Sequence, residues 1–290
     1  MRVLVLVVTL LGLLVAPAAA EPQHGVYRSY VALGDSYASG PGIPNQVGQP
    51  AGCARSDQNY PALLAKWLRI PQFTDVTCGG ARTVDMTKPQ KVSGGTNQPQ
   101  LNAVRADTEL VTLMIGGNDM GFGEIVRTCG QLATHDQQGN PCERQYTSGG
   151  TDRIAARITG VGPKISAVLD GIRTRSPRAH VVVVSYLRIL PPNGTCFPQV
   201  PFAAGDMPYF DRMSRMLNAE LAAQAAKHKA SIVNPYPYSH GHDACQPPDR
   251  KWVEGLFPSA PAAQMHPNAR GMQAVAMLSV PAVLFGRFQR

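Results

Sequence analysis

Acyl transfer needs a nucleophile, a base to activate it and donors for the oxyanion, and residue types for all three roles stand at four separated points of this chain. Ser36 lies in Gly34-Asp35-Ser36-Tyr37-Ala38-Ser39-Gly40, directly after the apolar stretch Tyr30 to Leu33. A hydroxyl at the carboxyl end of a buried strand sits where open α/β sheets keep their reactive groups. The plainer alternative is a turn serine that caps the next helix. Gly116-Gly117-Asn118-Asp119 follows Leu110 to Ile115, and Cys78-Gly79-Gly80-Ala81 follows a shorter run. Paired glycines let the backbone approach a ligand, and the Asn118 amide or a Gly80 main-chain N–H could donate to a developing negative oxygen. His266, in Met265-His266-Pro267-Asn268, precedes the last helical stretch, a setting compatible with a base. Taken singly, the glycine pairs are also ordinary turns, and a lone histidine is more often structural.

One architecture would bring these points together. Tyr30 to Leu33, Leu110 to Ile115, His180 to Tyr186 and Ser231 to Val233 are short apolar runs with strand character, and a fifth strand is expected through Val76 and Thr77. The β-branched run Val181 to Val184 suits a parallel sheet covered on both faces. Helices are expected over Asn59 to Leu68, Asp152 to Arg175, Pro208 to Lys229 and Asn268 to Leu284. In the second of these, Ile154, Ile158, Val161, Ile165, Val168 and Ile172 recur every three or four residues and form one apolar stripe. The alternation predicts an α/β fold: a three-layer, doubly wound sandwich with a mainly parallel sheet of about five strands, ligands collecting beyond the strands' carboxyl ends. Gly40 to Gln58, Thr87 to Pro99 and Gly130 to Thr151 are expected as surface loops.

Residues 1–20 have the pattern of a secretory leader: Met1-Arg2, an apolar run from Val3 to Val15, then Ala18-Ala19-Ala20, with cleavage expected after Ala20. Residues 21–290 are then expected to form a single domain. No later stretch is apolar enough to span a bilayer, and no cysteine near the cleavage point offers a lipid anchor. Without Arg2, 26 basic side chains face 19 acidic ones, a net charge of +7 that suits peripheral contact with an anionic envelope. No long Lys/Arg run or aromatic-interleaved basic stripe points to nucleic acid. Six cysteines in an exported chain imply disulfides. Of the possible pairings, the sequential one, Cys53 with Cys78, Cys129 with Cys142 and Cys196 with Cys245, is taken as the simplest framework. His240-Gly241-His242-Asp243 has metal-like composition but no identified third ligand, so no metal or other cofactor is expected. Gly160-Val161-Gly162 lacks the spacing of a phosphate loop.

In order and context the four points resemble the SGNH, or GDSL-type, esterase and lipase family. Its blocks are a Gly-Asp-Ser near the N-terminus, a Gly, a Gly-x-Asn-Asp and a His near the C-terminus, met here at Ser36, Gly80, Asn118 and His266. Cys53-Ala54-Arg55-Ser56 with Tyr60-Pro61, and Cys78-Gly79-Gly80-Ala81, resemble the secreted actinobacterial branch, which includes three-disulfide lipases. The likeness runs from residue 30 to about residue 285. Tyr37 stands where the name-giving motif has Leu.

The resemblance implies a secreted serine esterase or lipase hydrolysing carboxylic, fatty-acyl esters through an acyl-enzyme. Ser36 would be the nucleophile and His266 the general base, with the backbone N–H groups of Ser36 and Gly80 and the Asn118 amide holding the oxyanion. A carbohydrate deacetylase or a phospholipase would use the same four blocks, and a non-catalytic envelope-binding protein could keep the fold. The expected partner is a lipid ester, and the expected state is a monomer. Family members usually carry an acid three residues before the His, where this chain has Ala263. The resemblance therefore implies a dyad, with the Ala263 carbonyl orienting the imidazole. Asp243, Asp249 and Glu254 are the nearest upstream acids that could restore a triad.

Overall fold

The three most apolar runs become the three central strands of one parallel sheet. The structure, a computed structural model, describes residues 26–285; the leader and its cleavage point lie outside the described residues. Strand β1 is Ser29–Gly34, β2 Gln72–Asp75, β3 Leu110–Met114, β4 His180–Val184 and β5 Ser231–Val233. Their order across the sheet is β2-β1-β3-β4-β5, all parallel. Every residue of β1, β3 and β4 is buried, which is why these strands read as unbroken apolar runs, whereas the edge strand β2 alternates between exposed and half-buried positions.

Parallel strands require crossovers, and the helices supply them. Helix α1 is the single turn Ser36–Ser39, followed by α2 Tyr60–Trp67, α3 Phe122–Ala133, α4 Pro141–Thr147, α5 Arg153–Thr159, α6 Val161–Arg175, α7 Met207–Lys227 and α8 Ala269–Phe285. Helices α2 and α8 pack together on one face of the sheet and α6 and α7 on the other, giving the three layers. The stripe Ile154, Ile158, Val161, Ile165, Val168 and Ile172 is wholly buried.

Several boundaries differ from the sequence expectation. The stretch 152–175 is two helices, broken at Gly160, because Pro163 has no N–H to continue the ladder and is tolerated only in a helix's first turn. Strand β2 ends at Asp75 rather than running through Val76 and Thr77. Asp75 draws the Thr77 N–H (2.9 Å) and hydroxyl (2.6 Å) onto its own carboxylate, although Val76 N–H still reaches the Ala32 carbonyl. The segment 130–151 is not a plain loop: it contains the end of α3 and all of α4, joined by the Cys129–Cys142 disulfide. The loops 40–58 and 87–99 carry short two-stranded ribbons. The other disulfides join Cys53 to Cys78 and Cys196 to Cys245, so the chain pairs sequentially.

Candidate active site

Three carboxyl ends of adjacent strands converge on Ser36. After β1 the chain turns sharply into α1, and Gly34 permits it: a Cβ there would lie 2.7 Å from both the Ala38 Cβ and the Met114 carbonyl oxygen. The Gln100 side chain holds this strand end by accepting from the Gly34 N–H (2.8 Å) and donating to its carbonyl (2.9 Å). Asp35 caps α1, its carboxylate accepting from the Tyr37 N–H at 2.9 Å. The capping role that a plain reading gave to the serine thus belongs to its neighbour, and the Ser36 hydroxyl is left to point elsewhere.

It meets the imidazole of His266, with Oγ and Nε2 2.8 Å apart. The other ring nitrogen, Nδ1, lies 2.7 Å from the carbonyl oxygen of Gln264. This corrects the expectation that the Ala263 carbonyl orients the ring. Residues 263–266 form a tight turn closed by the His266 N–H on the Ala263 carbonyl (3.2 Å), with Met265 at φ 59°, the signature of a type II turn. The Ala263 carbonyl is spent on the backbone, and the next carbonyl faces Nδ1. A carbonyl can only accept, so Nδ1 carries the proton and Nε2 presents its lone pair to Ser36.

No carboxylate bonds His266 among the described residues. Glu254 is fully buried, but it accepts from Asn268 Nδ2 (2.7 Å) and from the N–H (2.8 Å) and hydroxyl (3.0 Å) of Ser259. Asp243 accepts from the Cys245 N–H and the Gln246 amide, each at 3.0 Å, and Asp249 is exposed. Glu254 acts on the turn instead: its N–H donates to the His266 carbonyl at 2.9 Å, while Asn268 caps α8 through the Gly271 N–H. From the opposite side the Tyr37 hydroxyl donates to the Met265 carbonyl (2.6 Å), its ring centroid 5.1 Å from that of His266. Burial lowers the His266 pKa below its usual value, an effect the Gln264 hydrogen bond partly offsets.

Of the oxyanion candidates, Asn118 lines the same pocket as Ser36, and Gly80 lies two residues past Cys78, whose N–H donates to the Gly34 carbonyl at 3.0 Å. The Ser36 N–H opens α1 and has no intrahelical acceptor, and the Gly80 N–H likewise has no protein acceptor among the described residues. Gly80 sits at φ 74°, where a side chain would be strained. The loop carrying it is pinned from two directions. The Gly79 N–H donates to the Cys53 carbonyl at 2.9 Å, next to the Cys53–Cys78 disulfide. Asn118 Nδ2 donates to the Ala81 carbonyl (2.9 Å), and Asp119 accepts the N–H (2.9 Å) and hydroxyl (2.6 Å) of Thr83. One Asn118 N–H thus anchors the loop and the other is free to donate.

Sequence reasoning missed a buried link behind these groups. The Tyr186 hydroxyl donates to Asp35 (2.5 Å) and accepts the Gly117 N–H (2.9 Å), joining the nucleophile turn to the Asn118 loop. Tyr186 is held just past β4 by Asn218, whose amide replaces a strand partner on both its N–H (3.0 Å) and carbonyl (2.9 Å). An aromatic closing an otherwise aliphatic run was the available signal. Burial raises the Asp35 pKa to about 7, against the lowering effect of its hydrogen bonds from Tyr186 and Tyr37.

Ser36 opens on an apolar pocket whose walls include Phe122, Ile125, Ile154, Phe202, Phe210 and Leu217. His242, from the metal-like cluster, spends Nδ1 on the Arg250 carbonyl and stacks on Trp252, ring centroids 4.0 Å apart.

A doubly wound sheet with a serine and a histidine at its carboxyl edge, beside an apolar pocket, defines an ester hydrolase of the GDSL class. Residues 32–274 match the GDSL-like Lipase/Acylhydrolase family, and the chain belongs to it. It is 36% identical over 271 residues to Lipase 2 of Streptomyces coelicolor, covering 92% of this chain and 90% of that one. It is 31% identical to a lipase of Streptomyces rimosus, covering 90% and 88%. Among solved structures, phospholipase A1 from Streptomyces albidoflavus NA297 superposes with a TM-score of 0.73 at 27% identity, covering 90% of this chain and 99% of that one. The extracellular lipase from Streptomyces rimosus gives 0.71 at 28%, covering 89% and 99%.

Proposed function

We propose that this enzyme is a secreted serine esterase that cleaves fatty-acyl esters through a Ser36–His266 dyad. The 2.8 Å contact between Ser36 Oγ and His266 Nε2, with Nδ1 on the Gln264 carbonyl, carries the reading. Nε2 takes the hydroxyl proton as Oγ attacks the ester carbonyl, and the Ser36 and Gly80 N–H groups with the Asn118 amide receive the oxyanion. The imidazolium returns the proton to the departing alcohol. Water, activated by the same nitrogen, then releases the acid from the acyl-serine.

Among the described residues no carboxylate reaches the ring, and the imidazolium is stabilised by the Gln264 carbonyl dipole, so more of the rate rests on the oxyanion donors. The apolar pocket favours an acyl chain over the acetyl group of a sugar ester. Export is supported by the leader pattern and by three disulfides, which persist in oxidising surroundings. A monomer, with a basic surface that meets anionic envelopes, completes the reading.

The test is a mutant cycle on a soluble short ester. Ser36→Ala and His266→Ala should each remove nearly all turnover, and the double variant should be no slower than either. Losses that multiply would show that the two residues do not act as one unit.

A further inference from the structure

The apolar surface beside Ser36 does not stop at the pocket. Val126 lines both the pocket and an outer groove whose other apolar residues are Phe197, Pro198, Pro201, Leu256 and Phe257. The partition between them is thin: Pro201 lines the groove and its neighbour Phe202 lines the pocket. Along α3, Phe122 and Val126 face the pocket, and Val126, Gly130 and Thr134 border the groove. Spaced four residues apart, these positions make one lane along the helix, about 18 Å long at 1.5 Å per residue. A Cβ at Gly130 would lie 3.4 Å from the Pro201 ring, an ordinary contact, so a methyl fits there and only a longer side chain would obstruct the lane. Phe257 is 59% exposed, a large aromatic left to solvent where it adjoins other apolar side chains.

We infer that the groove is the distal part of the acyl site: an acyl chain esterified at Ser36 fills the inner pocket with its proximal carbons and passes Val126 to lay its far end on Phe197, Pro201, Leu256 and Phe257. The inference rests on the esterase reading of Ser36. The apolar lining, with Val126 common to pocket and groove, selects this occupant, and the polar lining residues Arg127, Gln131 and Thr134 are all exposed rather than buried at the base of the groove. The consequence is a selectivity for long chains that short chains would not reveal.

The experiment measures kcat/KM on monomeric butyryl, octanoyl, dodecanoyl and palmitoyl p-nitrophenyl esters for the full chain and for Gly130→Glu, Gly130→Ala and Phe257→Ser. Each methylene buried in the groove is worth about fourfold. Gly130→Glu, which places a carboxylate in the lane, should therefore lower palmitoyl turnover by about 10- to 100-fold while butyryl and octanoyl rates stay within about twofold. Gly130→Ala should keep the wild-type profile and report that the helix tolerates a side chain. Phe257→Ser, at an exposed position, should repeat the length-selective loss to a smaller degree even if Gly130→Glu does not fold.

Equal losses at all lengths, or palmitoyl turnover unchanged in both Gly130→Glu and Phe257→Ser, would overturn the inference. So would variants that bind phosphatidylglycerol vesicles less well yet turn over monomeric palmitoyl ester normally, because the groove would then face a lipid surface. A wild-type chain that hydrolyses none of the four esters would instead overturn the esterase reading.

Discussion

The Tyr37 hydroxyl donates to the Met265 carbonyl across 2.6 Å, tying the turn of helix that carries Ser36 to the turn that carries His266. The residue that departs from the family's name-giving Leu therefore joins the two halves of the dyad. Tyr37→Phe should lower kcat roughly 10- to 100-fold with a smaller change in KM, because a displacement of about 1 Å at a reacting group can cost that much. Steady-state kinetics on a short ester check this. Wild-type kcat in the variant would mean that Glu254 and the turn's own hydrogen bond suffice to hold the ring.

A base must be neutral to accept the serine proton, and burial holds His266 below the usual imidazole value of about 6.5. The acid limb of kcat/KM should therefore rise along an inflection below about 6.5 and level off above it. Asp35, at about 7, is the other group beside the nucleophile that titrates in this range. A pH profile of Asp35→Asn should retain the low limb. Loss of that limb in the variant would assign it to the carboxyl group.

Asp35 also makes a prediction for stability. Its folded pKa of about 7 lies above the unfolded value, so between about pH 4 and about pH 7 the folded state binds the extra proton. Stability contributed at this site is then full below pH 4 and falls as pH rises through about 7, by no more than about 4 kcal/mol. Asn stays neutral throughout. The difference in Tm between Asp35→Asn and wild type should become more favourable to the variant from pH 5 to pH 8, measured by calorimetry at about those values. A difference independent of pH would place the carboxylate's pKa in the ordinary range.

If the ring is oriented by a main-chain carbonyl, side chains upstream of it are dispensable for chemistry. The amide variants of Asp243, Asp249 and Glu254, and Ala263→Gly, should keep kcat within about tenfold, against the loss of about 10⁴ that removal of a triad acid can cause. Glu254→Gln should appear mainly as lower thermal stability, since the buried Glu254 carboxylate holds both the buried Asn268 amide and the exposed Ser259. A 10⁴-fold collapse in any one would replace the dyad with a triad.

What could be read from the chain follows from where the chemistry is encoded. Fully buried strands such as Val181 to Val184 announce themselves, because burial on both faces leaves no polar position to break the run. The edge strand β2, half exposed, carries only a weak pattern, and its end was set by an Asp75 side chain competing for backbone. Ser36, Gly80, Asn118 and His266 were legible as a spaced motif, and the structure sets the Ser36 hydroxyl against His266 and lines one pocket with Ser36 and Asn118. Gln264 was not, because any residue has a carbonyl; which one turns toward Nδ1 depends on the positive φ of Met265. Tyr186 and Asn218 were hidden for a related reason. Their pairing joins residues 32 positions apart, and no local periodicity records such a contact.

The central claim, that Ser36 is a nucleophile activated by His266, is tested most directly by reacting the native chain with a fluorophosphonate and mapping the adduct by mass spectrometry. The geometry predicts one stoichiometric adduct, on Ser36, absent from Ser36→Ala and greatly slowed in His266→Ala. An unmodified Ser36 in the folded protein, or labelling that proceeds at the same rate without His266, would contradict it.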